Sequence, residues 1–229
     1  MRMSMNGISS MATRQVLNDL ACAYETKSGE RIAIESTGGV AAFKRIEEGE
    51  AFDIVVLAAD AIDRLAASSR IDAASRVRVA RSGVAIAVAK GAPRPSVDDE
   101  AAVREAVLAA RTIGYSTGPS GVYLTRLFER WGIAERIAPR IVQAQPGVAV
   151  GTLIARGEVE LGFQQMSEMI GVEGIDVLGM LPPEIQALTV FEGAICANAR
   201  APQLARAFLA FLASPDAGDA KVRHGMEPC

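Results

Sequence analysis

Four short stretches of this chain concentrate groups that bind anions without carrying charge: Asn6–Thr13 (NGISSMAT), Ser36–Gly39 (STGG), Ser116–Gly121 (STGPSG) and Gln145–Val148 (QPGV). Hydroxyls supply directional donors, glycines let a ligand approach the backbone, and none of the four contains Lys, Arg, Asp or Glu. The first turn of a helix leaves N–H groups without partners, and its dipole favours negative charge. A strand that delivers such a loop onto a helix start therefore makes an anion site. Ser, Thr and Gly also cap and turn without binding anything. Recurrence of the pattern, rather than any one loop, points to capture of a small anion by neutral donors.

Other chemistries are poorly supplied. His224 is the single histidine, so a Ser-His-Asp or Cys-His site has one residue to run through and a histidine-rich metal site is excluded. Cys22, Cys196 and Cys229 have no metal-ligand spacing. Cys22 in a helix and Cys196 in a strand read as core thiols. No catalytic residue, no metal and no cofactor is expected.

The elements that must position the loops follow from periodicity. Arg2–Met5 reads as a first strand and Asn6–Thr13 as the loop after it, leading to a helix with Leu17, Leu20, Ala21 and Tyr24 inward. Strand Arg31–Glu35 leads through Ser36–Gly39 into a helix with Ala42, Phe43 and Ile46 inward, stopped by Gly49. Asp53–Leu57 is a mostly apolar run that suits a central parallel strand. Val77–Ala89 reads as two strands or one long bent one, and Ser96 as a helix cap supported by Asp99. Thr112–Tyr115 is a short strand; the loop after it opens a helix with Leu124, Leu127, Phe128 and Trp131 on one face, ended by Gly132. Strand Ile141–Gln143, a helix ending at Arg156-Gly157, strand Val159–Phe163 with Gln164-Gln165 behind it, strand Leu188–Cys196 and helix Pro202–Leu212 complete the pattern. Strands alternating with helices in this way mean α/β with mostly parallel sheets, whose ligands sit at the carboxyl ends of strands.

The totals agree. There are 229 residues, enough for one large domain or two lobes, half of them apolar, with a net charge of −3 and no basic run. Nucleic acid is excluded as a partner for want of clustered Lys and Arg. No apolar stretch reaches the ~20 residues of a transmembrane helix. MRMSMNGISS lacks the pattern of a secretory signal. The expected location is periplasmic if a signal segment is missing from this sequence, and cytoplasmic otherwise.

These residues also carry a family likeness. Ser36–Glu50 followed by Ala51-Phe52-Asp53-Ile54-Val55-Val56, the helix start Gly121-Val122-Tyr123, the run Ala155–Gly162 (ARGEVELG) and the ending Gly225-Met226-Glu227-Pro228 are the pieces that count. Nearly end to end, the chain resembles the periplasmic solute-binding proteins of ABC transporters, in the branch like the molybdate-binding component. The resemblance implies a two-lobe periplasmic-binding-protein fold of type II, with mostly parallel sheets flanked by helices and a ligand cleft between the lobes. Residues 1–81 plus 193–229 form the first lobe by this reading, and 82–192 the second. It implies a non-catalytic, monomeric binder of a small anion that serves an ABC permease. Its ligand contacts carry over to Ser9, Ser10, Thr13, Gly38, Gly39, Ser120, Gly121, Gly147, Val148 and Gln165. Molybdate binders place a tyrosine where this chain has Gln165 and a serine where it has Gly38-Gly39. A glutamine both donates and accepts, which suits a carboxylate better than a bare tetrahedral oxyanion. Proteins that resemble this family include an aconitate isomerase, so a tricarboxylate isomerase is the alternative; it needs a base, which the four loops do not offer. A cytoplasmic ligand sensor is the third reading.

Overall fold

The computed structural model describes residues 4–229. In chain order the strands are β1 (Ser4–Ser10), β2 (Arg31–Thr37), β3 (Ile54–Ala58), β4 (Ile71–Ala89), β5 (Ile113–Tyr115), β6 (Ile141–Gln143), β7 (Leu161–Gln165), β8 (Ile175–Met180) and β9 (Leu188–Cys196). The helices are α1 (Arg14–Ser28), α2 (Gly39–Glu47), α3 (Ala59–Ala67), α4 (Glu100–Ala109), α5 (Pro119–Arg130), α6 (Ala134–Ile137), α7 (Val150–Ala155), α8 (Met166–Met169), α9 (Pro202–Ala213) and α10 (Gly218–Arg223). The chain divides into two compact units, Met1–Arg81 with Thr189–Cys229, and Ser82–Leu188. It passes from one to the other inside β4 and again inside β9.

In the first unit the strand order is β2-β1-β3-β9, with β4 beside β9. β1 runs parallel to both β2 and β3, and β9 runs antiparallel to β3. The period-2 alternation of β3 covers both faces, as an inner strand requires. Ile54 and Val56 join Leu17 and Leu20 of α1 and Phe208 and Leu212 of α9, whereas Val55 and Leu57 join Phe43 of α2 and Ile62 and Leu65 of α3. Buried Asp53 ties this layer together. Its Oδ2 accepts from the Asn6 N–H (2.8 Å), and its Oδ1 accepts from the N–H groups of Arg200 (2.7 Å) and Ala201 (2.8 Å), just before α9. One carboxylate thus fixes the start of β1 and the entry to α9.

In the second unit β7 lies between β4 and β5, β6 follows β5, and β8 also pairs with β4. β5 is parallel to β6 and β7, and β4 is antiparallel to β7 and β8. Each of these antiparallel pairings, and that of β3 with β9, uses one of the two long strands; the short strands pair in parallel. β4 alternates as β3 does: Val84 and Ile86 pack with Val107 of α4 and Phe128 of α5, and Ala85 and Ala87 with Val150 and Ile154 of α7.

Several local expectations change. Of the first expected strand, Arg2 and Met3 lie outside the described residues. β1 then runs on through most of the stretch read as a loop, because Gly7 sits against β3: a Cβ there would stand 2.7 Å from Ile54 Cγ1. Ser36 and Thr37 likewise belong to β2. β4 is one strand of 19 residues. Asp99 rather than Ser96 caps α4, its Oδ1 accepting from the Ala102 N–H (2.8 Å), while Ser96 Oγ donates to Asp98. Cys22 is exposed rather than in the core, since it lies off the stripe defined by Leu17, Leu20 and Ala21; Cys196 is buried as expected.

Candidate functional site

Each unit gathers its own polar cluster at the carboxyl ends of adjacent parallel strands. In the first unit the register pairs Ser9 with Ser36 and Ser10 with Thr37, at the ends of β1 and β2. Ser9 and Ser36 share a hydrogen bond of 2.8 Å between their hydroxyls. The Thr13 hydroxyl donates to the Ser10 carbonyl (3.1 Å), closing the 3-10 turn Met11–Thr13 that leads into α1. Ser9 and Thr13 are fully buried. Ser10 retains 8% of its exposure, yet its Oγ is buried and has no hydrogen-bond partner. Beside it α2 begins. A Cβ on Gly39 would lie 3.7 Å from Ser10 Cβ, and no side chain caps the helix at Gly38. The first internal bond of α2 runs from the Ala42 N–H to the Gly38 carbonyl, so the N–H groups ahead of it have no helical acceptor. An orphaned hydroxyl beside an open, nine-residue helix start has donors to offer an acceptor atom.

In the second unit, β5 pairs with β6 and β7 so that Tyr115 lies opposite Gln143 and Phe163. The stretches Ser116–Gly121, Gln145–Val148 and Gln164-Gln165 therefore emerge side by side. Ser116 Oγ accepts from the Gly118 N–H (3.3 Å), and α5 starts uncapped by any side chain, with Pro119 at its first turn. Ser120 is buried. Gly121 has to be glycine: a Cβ there would lie 1.6 Å from the Ser116 carbonyl oxygen. The loop is folded back onto the helix start through that gap. Gly147, at φ +84°, sits in an exposed turn in which the Val148 N–H donates to the Gln145 carbonyl (2.9 Å).

Gln164 and Gln165 are 2% and 1% exposed, so the pair belongs to the interior of its unit and is not a solvated strand end. Gln164 Oε1 accepts from the Val150 N–H (2.8 Å), the first of α7, and Gln164 Nε2 donates to Glu168 Oε1 (2.7 Å). Burial pushes the Glu168 carboxyl up to about 7, against a smaller lowering by that hydrogen bond. Ser167, also buried, has an Oγ with no hydrogen-bond partner. The sequence reading missed Gln164, Ser167 and Glu168. The doubled glutamine after an apolar strand was the available signal for Gln164; MSEM read as ordinary helix.

The structure thus brings Ser9, Ser10, Thr13, Gly38 and Gly39 together in one unit. It brings Ser120, Gly121 and Gln165 to one sheet edge in the other, with Gly147 and Val148 in the neighbouring exposed turn. Arg14 and Lys44 are exposed, whereas Arg45 is half-buried between Glu35 and Glu50 and over the Phe52 ring. Among the described residues no cluster of His, Cys, Asp or Glu could hold a metal ion, and no helix is long and apolar enough to cross a membrane.

Known proteins agree with this architecture. The chain is 35% identical over 229 residues to an aconitate isomerase from a Pseudomonas species, covering 96% of this chain and 86% of the relative. Its fold matches the periplasmic molybdate-binding protein of Azotobacter vinelandii (TM-score 0.82, 18% identity, 97% and 98% of the two chains). It also matches a tungstate-binding protein from Desulfovibrio alaskensis (TM-score 0.70, 15% identity, 99% of each chain). The mixed α/β architecture with helix-flanked sheets is thus the fold of periplasmic binding proteins. The family and these structural neighbours are binding proteins rather than enzymes. A family model described as bacterial extracellular solute-binding protein matches residues 6–227, and the chain belongs to that family.

Proposed function

We propose that this protein captures a small anion, a di- or tricarboxylate or a tetrahedral oxyanion, and delivers it to an ABC permease from outside the cytoplasm. Ligand contacts are assigned to Ser9, Ser10, Thr13, Gly38 and Gly39 in the first unit, and to Ser120, Gly121, Gly147, Val148 and Gln165 in the second. The observation that carries the reading is the Ser10 hydroxyl, buried without a partner beside the open first turn of α2. Leaving it so costs stability unless an acceptor arrives. A carboxylate is favoured over molybdate by Gln165 and by the isomerase relative. Thermal melts with molybdate, tungstate, sulfate, succinate, citrate and trans-aconitate should give a saturable rise with at least one of them, because a ligand that binds only the folded state stabilises it. Flat melts across the set would end the reading.

A second reading is favoured by the same relative together with Glu168: isomerisation of aconitate. The Glu168 carboxylate would take a proton from the methylene carbon, the electron pair would spread over the adjoining double bond and carboxylate, and the proton would return at the far carbon. No co-reactant is consumed. NMR of cis- and trans-aconitate with purified protein distinguishes the two: interconversion that is lost in Glu168→Gln supports the enzyme, and unchanged spectra leave the binder.

A further inference from the structure

We infer that anion capture by this chain takes up a proton, with Glu168 as the acceptor and Gln164 as the group that holds it in place. The inference rests on the binding reading above and adds to it a coupling between ligand and proton.

The geometry supports this in three steps. First, the Gln164 amide cannot turn over. Its Oε1 is held by the Val150 N–H, so its Nε2 must face Glu168, and a flip would set NH2 against N–H. Glu168 is therefore kept at one place, one helical turn beyond Gln165, the residue that precedes α8. Second, no charged group contributes to the shift of Glu168, and α7 (VGTLIA) and β7 (LGFQQ), which both pack against α8, carry no ionisable side chain. Val150 and Leu153 of α7 and Met169 of α8 belong to one buried apolar cluster. Third, the carboxyl is already balanced near neutrality by burial, at about 7. An anion bound beside Gln165 and the start of α5 adds a second negative charge to this side of the second unit. Like charges disfavour each other, so the bound state holds the proton more tightly than the free state. Linkage then requires that affinity for the anion fall as pH rises through the neutral range.

Calorimetry with molybdate, sulfate and tricarballylate, in buffers of different ionisation enthalpy near neutral pH, reads the coupling directly. For a probe that binds, the apparent enthalpy should vary with buffer in the sense of proton uptake. Affinity should fall about five- to ten-fold between pH 6 and pH 8. Glu168→Gln should remove both dependences and bind more tightly than the native chain at the higher pH. Carbon-13 NMR of the Glu168 carboxyl in the native protein guards against a misfolded variant: its midpoint should move up when the probe saturates. Binding with no buffer dependence, or a midpoint that stays put on saturation, overturns the coupling while leaving the binding reading intact. Absence of binding by all three probes at both pH values, together with flat melts across the six anions named above, removes the binding reading, and the coupling with it.

Discussion

The two polar clusters sit at equivalent places, the carboxyl ends of parallel strands, but are built from different chemistry. The first holds hydroxyls and glycine backbone: Ser9 bonded to Ser36, Thr13 bonded to a carbonyl, Ser10 left over. No group in it titrates near neutral pH. The second holds two buried amides and a carboxyl that titrates at about 7. One cluster is indifferent to pH and the other responds to it. They differ also in tolerance. The Ser116–Gly121 loop is folded tightly onto its helix, whereas the Gly38-Gly39 corner has room.

That difference in room gives the largest expected effect. Gly121→Ala sets a methyl group where the Ser116 carbonyl oxygen stands, so the loop must move. A loss of about 3 kcal/mol or more is expected in urea unfolding, together with loss of ligand binding. Gly39→Ala meets only an ordinary contact with Ser10 Cβ at 3.7 Å. It should change stability by less than about 0.5 kcal/mol. Equal effects at the two glycines would erase the contrast.

Charge gives the next largest. The Glu168 carboxyl is raised in the folded chain from its ordinary 4.5 to about 7, so the native state holds a proton that the unfolded chain releases. Stability therefore falls as pH rises across that interval and is level above it. Part of the Glu168 residue still reaches solvent, so the cost is set at about 2 kcal/mol rather than the full value of such a shift. Glu168→Gln should be more stable than the native chain by that amount at about pH 8 and should show no gain near pH 4. Unfolding curves at the two pH values check it; a gain of the same size at both would remove the carboxyl from the argument. The first cluster offers no counterpart, and Ser36→Ala should shift stability equally at both.

How far these features were legible in the sequence follows from where their causes lie. The strand–loop–helix units were readable because both periods and the Ser/Thr/Gly punctuation are local. For the same reason the apolar run Asp53–Leu57 was readable as a central strand, and Val77–Ala89 as two strands or one long bent one, of which the structure has the single strand. What was missed is set by neighbours distant in sequence. Ser9 and Ser10 belong to a strand because Gly7 admits Ile54, 47 positions away. Gln164 and Gln165 are interior because α7 and β4 cover the end of β7. Glu168 looks like any helical glutamate until tertiary burial desolvates it. Asp53 was read as the edge of an apolar run, and its three backbone donors come from two segments far apart in the chain.

The smallest effect separates two adjacent serines within the first cluster. The Ser9 hydroxyl is bonded, to Ser36 at 2.8 Å, so Ser9→Ala deletes that bond and strands part of its partner. Destabilisation of about 1 kcal/mol is expected. The Ser10 hydroxyl is buried without a partner, so Ser10→Ala removes an unmet donor and acceptor rather than a bond. Stability should be unchanged, or higher by up to about 1 kcal/mol. If Ser10 waits for the ligand, the same substitution should weaken capture of whichever anion raises the melting temperature, by about ten-fold. Ser9 and Ser10 would then be opposites, one spending its hydroxyl on the fold and the other keeping it for the ligand. A Ser10→Ala protein that loses stability and binds as tightly as the native chain would show that the hydroxyl serves the fold after all, and the open start of α2 would lose its second donor.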